Sequence, residues 1–386
     1  MFVYKKDDFN VPIKSWVPEE QYRLDAPMVA QCEHLVKLPF AFHHFALSPD
    51  GHVGYGMPIG GIFAAEGVII PNCVGVDISC GANAVKTSLN ELDIDTLKTI
   101  MGKVRAAIPV GFNHHKTPQK WEGFDRAPNI PIVQQELNSA RKQLGTLGGN
   151  NHFIEFQIDG DSNIWVMLHS GSRNFGLKTA NIYHKLAQSL CEKWHVQLPD
   201  KDLAFLPMDS AEGREYFDAM TFCMEFAMES RAHMMRATLE IMNDVADAEK
   251  IDEVNIHHNY AAMENHFGKN VMVHRKGATR ARLGEKGIIP GSMGSSSYIV
   301  EGLGNPESFN SCSHGAGRRM GRKEACRTLN LEEEQKKMVG IVHGLRNASD
   351  LDEAPGSYKS IDDVMNNQTD LVKILVKLRP LGSIKG

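Results

Sequence analysis

The sequence predicts an α+β fold, with mixed β-sheets at the centre and helices flanking them. Three observations carry this expectation. Short apolar runs rich in β-branched residues recur, long stretches of helical spacing stand apart from them, and the two do not alternate in a regular βαβ order. A chain of 386 residues, 42% hydrophobic and 23% charged, has a globular balance and material for a sizeable core. No linker, repeat or low-complexity tract divides it, so a single domain over residues 1–386 is expected. No apolar run approaches the roughly 20 residues needed to span a bilayer. The first ten residues are charged and lack the apolar stretch of a secretory signal, so no membrane association and a cytoplasmic location are expected.

Residues 68–87 read as a β-branched run, a sharp glycine turn and a second short run. Residues 110–129, rich in Gly, His, Pro and Asn, read as a long loop. Residues 153–158 and 164–169 form a hairpin about Asp159-Gly160. A helix is expected over 178–194. Residues 215–250 contain neither Gly nor Pro, and Phe217, Met220, Met224, Phe226 and Ala227 recur at helical spacing, which predicts one or two long helices. The methionines there (Met224, Met228, Met234, Met235) fit a helix core better than a soft-metal box. Ile288 and Ile289 before the 290–297 turn, and Tyr298, Ile299 and Val300 after it, predict a buried strand–turn–strand. A further helix is expected to begin near Gly317.

The seven cysteines are odd in number and show no pairing pattern, which fits reduced thiols rather than a disulfide framework. The net charge of −5 means that a polyanionic partner must meet a local basic patch.

Seven segments carry chemistry. In Val74-Gly-Val-Asp-Ile-Ser-Cys-Gly81, Asp77 and Cys80 lie three apart at a glycine-bounded turn. Both can point at one cation, and a thiolate can bridge two; a buried Cys beside a turn Asp is the commoner reading of such a pair. His152 follows the glycine-rich 145–149 turn, with Asn151 and Glu155 near it, and His169 ends an apolar strand before Ser170, Gly171, Ser172 and Arg173. Two strand ends of this kind point to a site, because loops at strand ends carry function. Of His257 and His258, one is a candidate ligand while the other supports or packs. Imidazole with thiolate suits Zn, Mn, Fe or Co more than Mg or Ca, and the spacing matches no structural zinc pattern. The 274–280 segment gathers His274, Arg275, Lys276 and Arg280, and the Ser/Gly turn at 290–297 offers N–H groups and hydroxyls to phosphates. His314, ahead of Gly315, Gly317 and the pair Arg318-Arg319, can attack phosphorus or donate to a phosphate oxygen.

In order along the chain, these motifs resemble the RtcB family of RNA ligases. The resemblance rests on Asp50-Gly-His52, Gly75-Val-Asp-Ile-Ser-Cys-Gly81, Gly145-Thr-Leu-Gly148, Asn151-His-Phe-Ile-Glu155 and His169-Ser-Gly-Ser-Arg173. It continues through His258-Asn259, Arg275-Lys-Gly-Ala278, Pro290-Gly-Ser-Met-Gly294, His314-Gly-Ala-Gly-Arg318, Asp352-Glu-Ala-Pro355, Tyr358-Lys359 and Lys385-Gly386. Among the departures, Gly51 stands where the family usually has Val, and Arg319 and Gly321 alter the usual Arg-Val-Met-Ser-Arg run.

The resemblance implies two manganese ions, one between Cys80, His169 and His258 and one held by Asp77, Cys80 and His152, with Cys80 bridging. It implies His314 as the nucleophile that takes GMP from GTP. The guanine nucleotide would contact Asn151, Phe153, Glu155, Asn259, the Pro290, Gly291, Ser292 and Met293 turn, Ser297, the Gly315, Ala316 and Gly317 turn, and Lys385. The implied reaction joins a 2′,3′-cyclic phosphate or 3′-phosphate RNA end to a 5′-hydroxyl end. Arg173, Arg275, Lys276 and Arg318 are the candidates for RNA or nucleotide phosphates. Broken RNA, such as tRNA or rRNA, is the expected partner, with no DNA, and a monomer is expected. A binuclear phosphoesterase that only hydrolyses is the alternative; it would need neither His314 nor Lys385.

Overall fold

Two β-sheets form the centre of the computed structural model, which describes residues 1–386. In the six-stranded sheet the order is Phe2–Tyr4, Ile13–Ser15, Ala41–Tyr55, Met57–Ala65, Lys269–Lys276, Asn259–His266. The pair Ile13–Ser15 and Ala41–Tyr55 runs parallel and the other pairs antiparallel, so this sheet is mixed. In the seven-stranded sheet the order is Lys250–His257, Gly81–Thr87, Ile164–Ser170, Phe153–Ile158, Val372–Lys385, Ser297–Gly302, Lys286–Ile289. Every pair there is antiparallel, which narrows the expectation of mixed sheets to the first. The architecture is α+β.

The long gap without Gly or Pro becomes one unbroken helix, Ala211–Ala246. Ser210 caps its start by accepting from the Gly213 N–H, and Asp247 ends it in the left-handed region at φ 53°. Met224 and Met228 are half-buried, whereas Met234, Met235 and Met242 pack with Val85, Phe156 and Leu168 of the seven-stranded sheet and are core. Burying each such side chain contributes about 1.5–3 kcal/mol. The helix expected over 178–194 spans Arg173–Lys193. No helix is long and apolar enough to cross a membrane.

Three local expectations change. The 153–158/164–169 hairpin forms, but its loop is residues 159–163, with Ser162 rather than Gly160 in the positive-φ region. Asp159 organises that loop by accepting from the N–H groups of Asp161 and Asn163 and from Trp165 Nε1. Between the runs at 68–69 and 81–87 lies a short helix, Pro71–Val74. No helix begins at Gly317. That glycine sits at φ +72° where a Cβ would lie 2.2 Å from the Asp50 carbonyl oxygen, and the next helix is Arg322–Thr328.

Candidate metal centre and nucleotide cavity

Antiparallel register gathers the metal-site candidates. Gly81 pairs with both His257 and Ser170, and His169 pairs with Phe153. Cys80, His169, His152 and His258 therefore all fall at one end of four neighbouring strands, although 178 positions separate Cys80 from His258 in sequence. His258 occupies the single residue between Lys250–His257 and Asn259–His266, where the chain crosses from one sheet to the other; its N–H donates to the Cys80 carbonyl at 2.8 Å. Gly171 lets the turn close, since a Cβ there would lie 2.1 Å from Asp77 Oδ1.

Two triads result, Cys80–His169–His258 and Asp77–Cys80–His152, each with its donor atoms within 4.8 Å of one another. Cys80 Sγ lies 3.2 Å from His169 Nε2 and 3.5 Å from His152 Nε2. His169 Nε2 lies 3.3 Å from His258 Nε2, and His152 Nε2 lies 3.1 Å from Asp77 Oδ2. The tautomers follow from what lies behind two of the rings. His152 Nδ1 donates to the Leu147 carbonyl and His169 Nδ1 to the Asn151 carbonyl, so each Nε2 lone pair faces the cluster. Burial pushes His169 down to about 3, which keeps its imidazole neutral and ligating. Burial, reinforced by Asp77, raises the Cys80 thiol well above its usual value, so the protein alone does not supply a thiolate. A bound divalent cation would, because it deprotonates a coordinating thiol. Neutral imidazoles, one carboxylate and a shared sulfur fit borderline-soft divalent cations. His257 is outside the cluster; it packs edge-on to Tyr260, with ring centroids 4.3 Å apart.

The cluster opens into a cavity of about 740 Å3, lined by Asp77, Cys80, His169, His258 and His314 together. That volume is ample for a nucleotide. His314 stands edge-on to His258, ring centroids 4.7 Å apart. Its Nδ1 donates to Asp50 Oδ2 at 2.6 Å, and its backbone N–H points at the same oxygen. Asp50 is fully buried, and Ser48 donates to its Oδ1. Burial raises the Asp50 carboxyl, but its attraction to His314 and the hydrogen bonds from His314 and Ser48 outweigh it, so Asp50 is lowered overall and stays ionised. With Nδ1 engaged, Nε2 is the free nitrogen of His314.

Asn151, Phe153, Glu155, Asn259, Pro290, Gly291, Ser292, Met293, Gly315, Ala316, Gly317 and Lys385 all line the same cavity. Ser297 does not: it stands behind the 290–293 turn, accepting from the Gly291 N–H and from Gln157, which also donates to Glu155. Lys385 Nζ lies 5.7 Å from the Phe153 ring centre. Of the phosphate candidates, Lys276 and Arg318 line the cavity. Arg318 is held by Glu353 and by the carbonyls of Asp352 and Met320. Arg173 lies beside Gly148, bonded to Thr146 Oγ1 and the Gly111 carbonyl and outside the cavity wall. Arg275 is corrected: it is fully buried, and Glu264, Tyr260, Ser311 and the Phe309 carbonyl take up its guanidinium, so no phosphate reaches it.

Three residues with parts in this arrangement are not marked by the sequence as site residues. Asp50 and Glu353 lay inside quoted motifs. Glu353 is a buried carboxylate among Arg318, Arg322, Tyr358 and Lys385. Arg231 had no signal beyond being a charge on an apolar helix. It is fully buried, and it donates to the carbonyls of Ser79 and Ser170 and to Asn255 Oδ1. One guanidinium thus ties the residue before Cys80, the residue after His169, and the strand leading to His258.

A family model described as tRNA-splicing ligase RtcB matches residues 31–127 and 122–386. The chain is 38% identical to "RNA-splicing ligase RtcB" of Escherichia coli (strain K12), with 98% of each chain covered. It is 31% identical to "tRNA-splicing ligase RtcB" of Thermococcus kodakarensis, over 92% of this chain and 90% of that one, and 31% identical to its namesake in Archaeoglobus fulgidus, over 99% and 96%. A model match from residue 31 to the last residue, and relatives this similar along their full length, place the chain in the RtcB family.

Proposed function

We propose that this chain is an RNA ligase that joins a 2′,3′-cyclic phosphate or 3′-phosphate end to a 5′-hydroxyl end through a covalent histidine–GMP intermediate. The observation that carries this reading is His314. It is a histidine oriented by a buried carboxylate, it faces the shared cavity, and it lies against the Cys80-centred cluster. A binuclear phosphoesterase that hydrolyses with metal-activated water has no need of such a nucleophile, so that alternative is disfavoured.

His314 Nε2 attacks the α-phosphorus of GTP; the P–N bond forms as the P–O bond to pyrophosphate breaks. An oxygen of the RNA 3′-phosphate then attacks that phosphorus, the P–N bond breaks, and the RNA carries an activated GMP end. The 5′-hydroxyl attacks the RNA phosphate, losing its proton, and GMP leaves. A cyclic phosphate is first opened by water to the 3′-phosphate. Two divalent cations, manganese on the family pattern, would be held by Cys80, His169 and His258 and by Asp77, Cys80 and His152, and would supply charge stabilisation at phosphate oxygens. Phe153, Glu155 and Lys385 form the wall proposed for guanine, and the N–H groups of Met293, Gly315 and Gly317, which no protein acceptor takes, are offered to phosphates. RNA with broken ends, such as tRNA or rRNA, is the substrate class.

The test is incubation with α-labelled GTP and manganese, followed by denaturing electrophoresis. The wild-type chain should carry label and seal paired RNA ends, and His314→Ala should do neither. Sealing by His314→Ala, or no covalent label on the wild type, would overturn the reading.

A further inference from the structure

Two segments lead outward from the reacting pair Asp50–His314. The strand Ala41–Tyr55 runs from Asp50 to Tyr55, and the loop after His314 runs to Arg319. They touch at Gly317, where absence of a Cβ lets the loop lie on the Asp50 carbonyl. Lys359 fastens the contact: its N–H donates to the Gly317 carbonyl, and its ammonium donates to the carbonyls of Pro49 and Gly51. Each segment ends in a side chain at the cavity mouth. Tyr55 lines the cavity yet is 75% exposed, with Val53 and Val76 as partly exposed apolar neighbours on the lining. A large aromatic left in water on a cavity rim has no packing role. Arg319 is exposed on the same lining. Arg318 and Arg322 are both spent on Glu353, whereas the Arg319 guanidinium makes no hydrogen bond or ion pair. Of the acids at the mouth, Asp25 is committed to capping the helix Ala26–Val36, and Glu324 stands exposed in the first turn of the helix Arg322–Thr328.

Each tip lies five residues from the reacting pair, which places it at most about 17 Å away along extended chain. A separation within that bound is compatible with nucleotides next to a reacting end. Nothing in the proposed nucleotide wall uses either side chain. An aromatic face and an unpaired guanidinium on the lining of one cavity are the recognition chemistry of single-stranded nucleic acid, stacking on a base and pairing with a phosphate.

Building on the ligase reading above, we propose that Tyr55 and Arg319 form a docking rim for single-stranded RNA, Tyr55 stacking on a base and Arg319 holding a phosphate of the segment leading into the cavity. Arg319, where the family pattern has valine, makes this rim a feature by which this chain would differ in substrate preference.

The test uses fluorescently labelled single-stranded RNA decamers, one with a 3′-phosphate and one with a 5′-hydroxyl, bound to the full-length wild type, Tyr55→Ala, Tyr55→Phe, Arg319→Ala and Arg319→Lys. Tyr55→Ala should weaken binding of at least one strand roughly 5- to 150-fold, with Tyr55→Phe near wild type. Arg319→Ala should lower the slope of log affinity against log salt by about 0.7, with Arg319→Lys keeping it. Ligation should show a raised KM for RNA at little-changed kcat. Labelling by GTP without RNA should persist in every variant and reports intact folding. The strand that weakens is the one the rim holds. Unchanged affinity for both strands in Tyr55→Ala and Arg319→Ala would overturn the rim while leaving the ligase reading intact. A wild type that binds RNA through the rim yet takes no label from GTP would overturn the ligase reading and leave the rim.

Discussion

Replacing Asp50 with Asn separates charge from geometry at the nucleophile. Asp50 is fully buried, with Oδ2 on His314 and Oδ1 on Ser48. An Asn of the same shape can keep its carbonyl oxygen at the Oδ2 position. Its NH2 then donates to Ser48 Oγ, whose own proton can go to the Gly60 carbonyl, 2.9 Å away. The His314 tautomer is thus preserved and only the charge is lost. As the P–N bond forms the imidazole becomes cationic. At roughly 4 Å and an effective dielectric near 20, the carboxylate stabilises a full charge there by about 4 kcal/mol. A half-developed charge gives about 2 kcal/mol, or roughly a 30-fold slower formation of the adduct. Asp50→Ala removes the hydrogen bond and the tautomer lock as well, and should cost more than Asp50→Asn. The assay is single-turnover labelling by GTP, with urea unfolding to show that the variants fold. Asp50→Asn labelling at the wild-type rate would show that Asp50 acts through its hydrogen bonds alone and refute the electrostatic argument.

Two further outcomes follow from buried groups around the site. Arg231→Met should leave two carbonyls and Asn255 Oδ1 without this donor, at about 1–3 kcal/mol each; manganese titrated by EPR should show weakened binding, partly restored in Arg231→Lys, and wild-type binding with a wild-type unfolding midpoint would refute the clamp. Burial pushes Glu155 up to about 8, opposed by Gln157 and Lys385. Its raised folded pKa contributes stability that is complete below the unfolded value near 4.5 and is lost as pH rises towards about 8. Urea midpoints of Glu155→Gln should therefore vary less than wild type across that range, and identical pH profiles would exclude this group.

Sequence by itself determined the fold class, the hairpin at 153–170, the long helix and the chemical types at the site. These are local properties: periodicity reports a buried face, and glycine reports a turn. The metal-site candidates were individually legible, and their order along the chain sufficed for the family resemblance. The resemblance implied which of them meet, and the tertiary structure shows the same two groups and the contacts that bring them together. Register brings Cys80 to His169 and His258, and carbonyls behind the rings of His152 and His169 turn the Nε2 lone pairs of those two inward. Tertiary structure also decided between chemically alike arginines. Arg275 is consumed by Glu264, Arg318 by Glu353 and Arg231 by backbone carbonyls, whereas Arg319 is left unpaired at the cavity mouth. A guanidinium has the same chemistry wherever it stands, and what it can bind depends on which of its donors the rest of the chain has already taken.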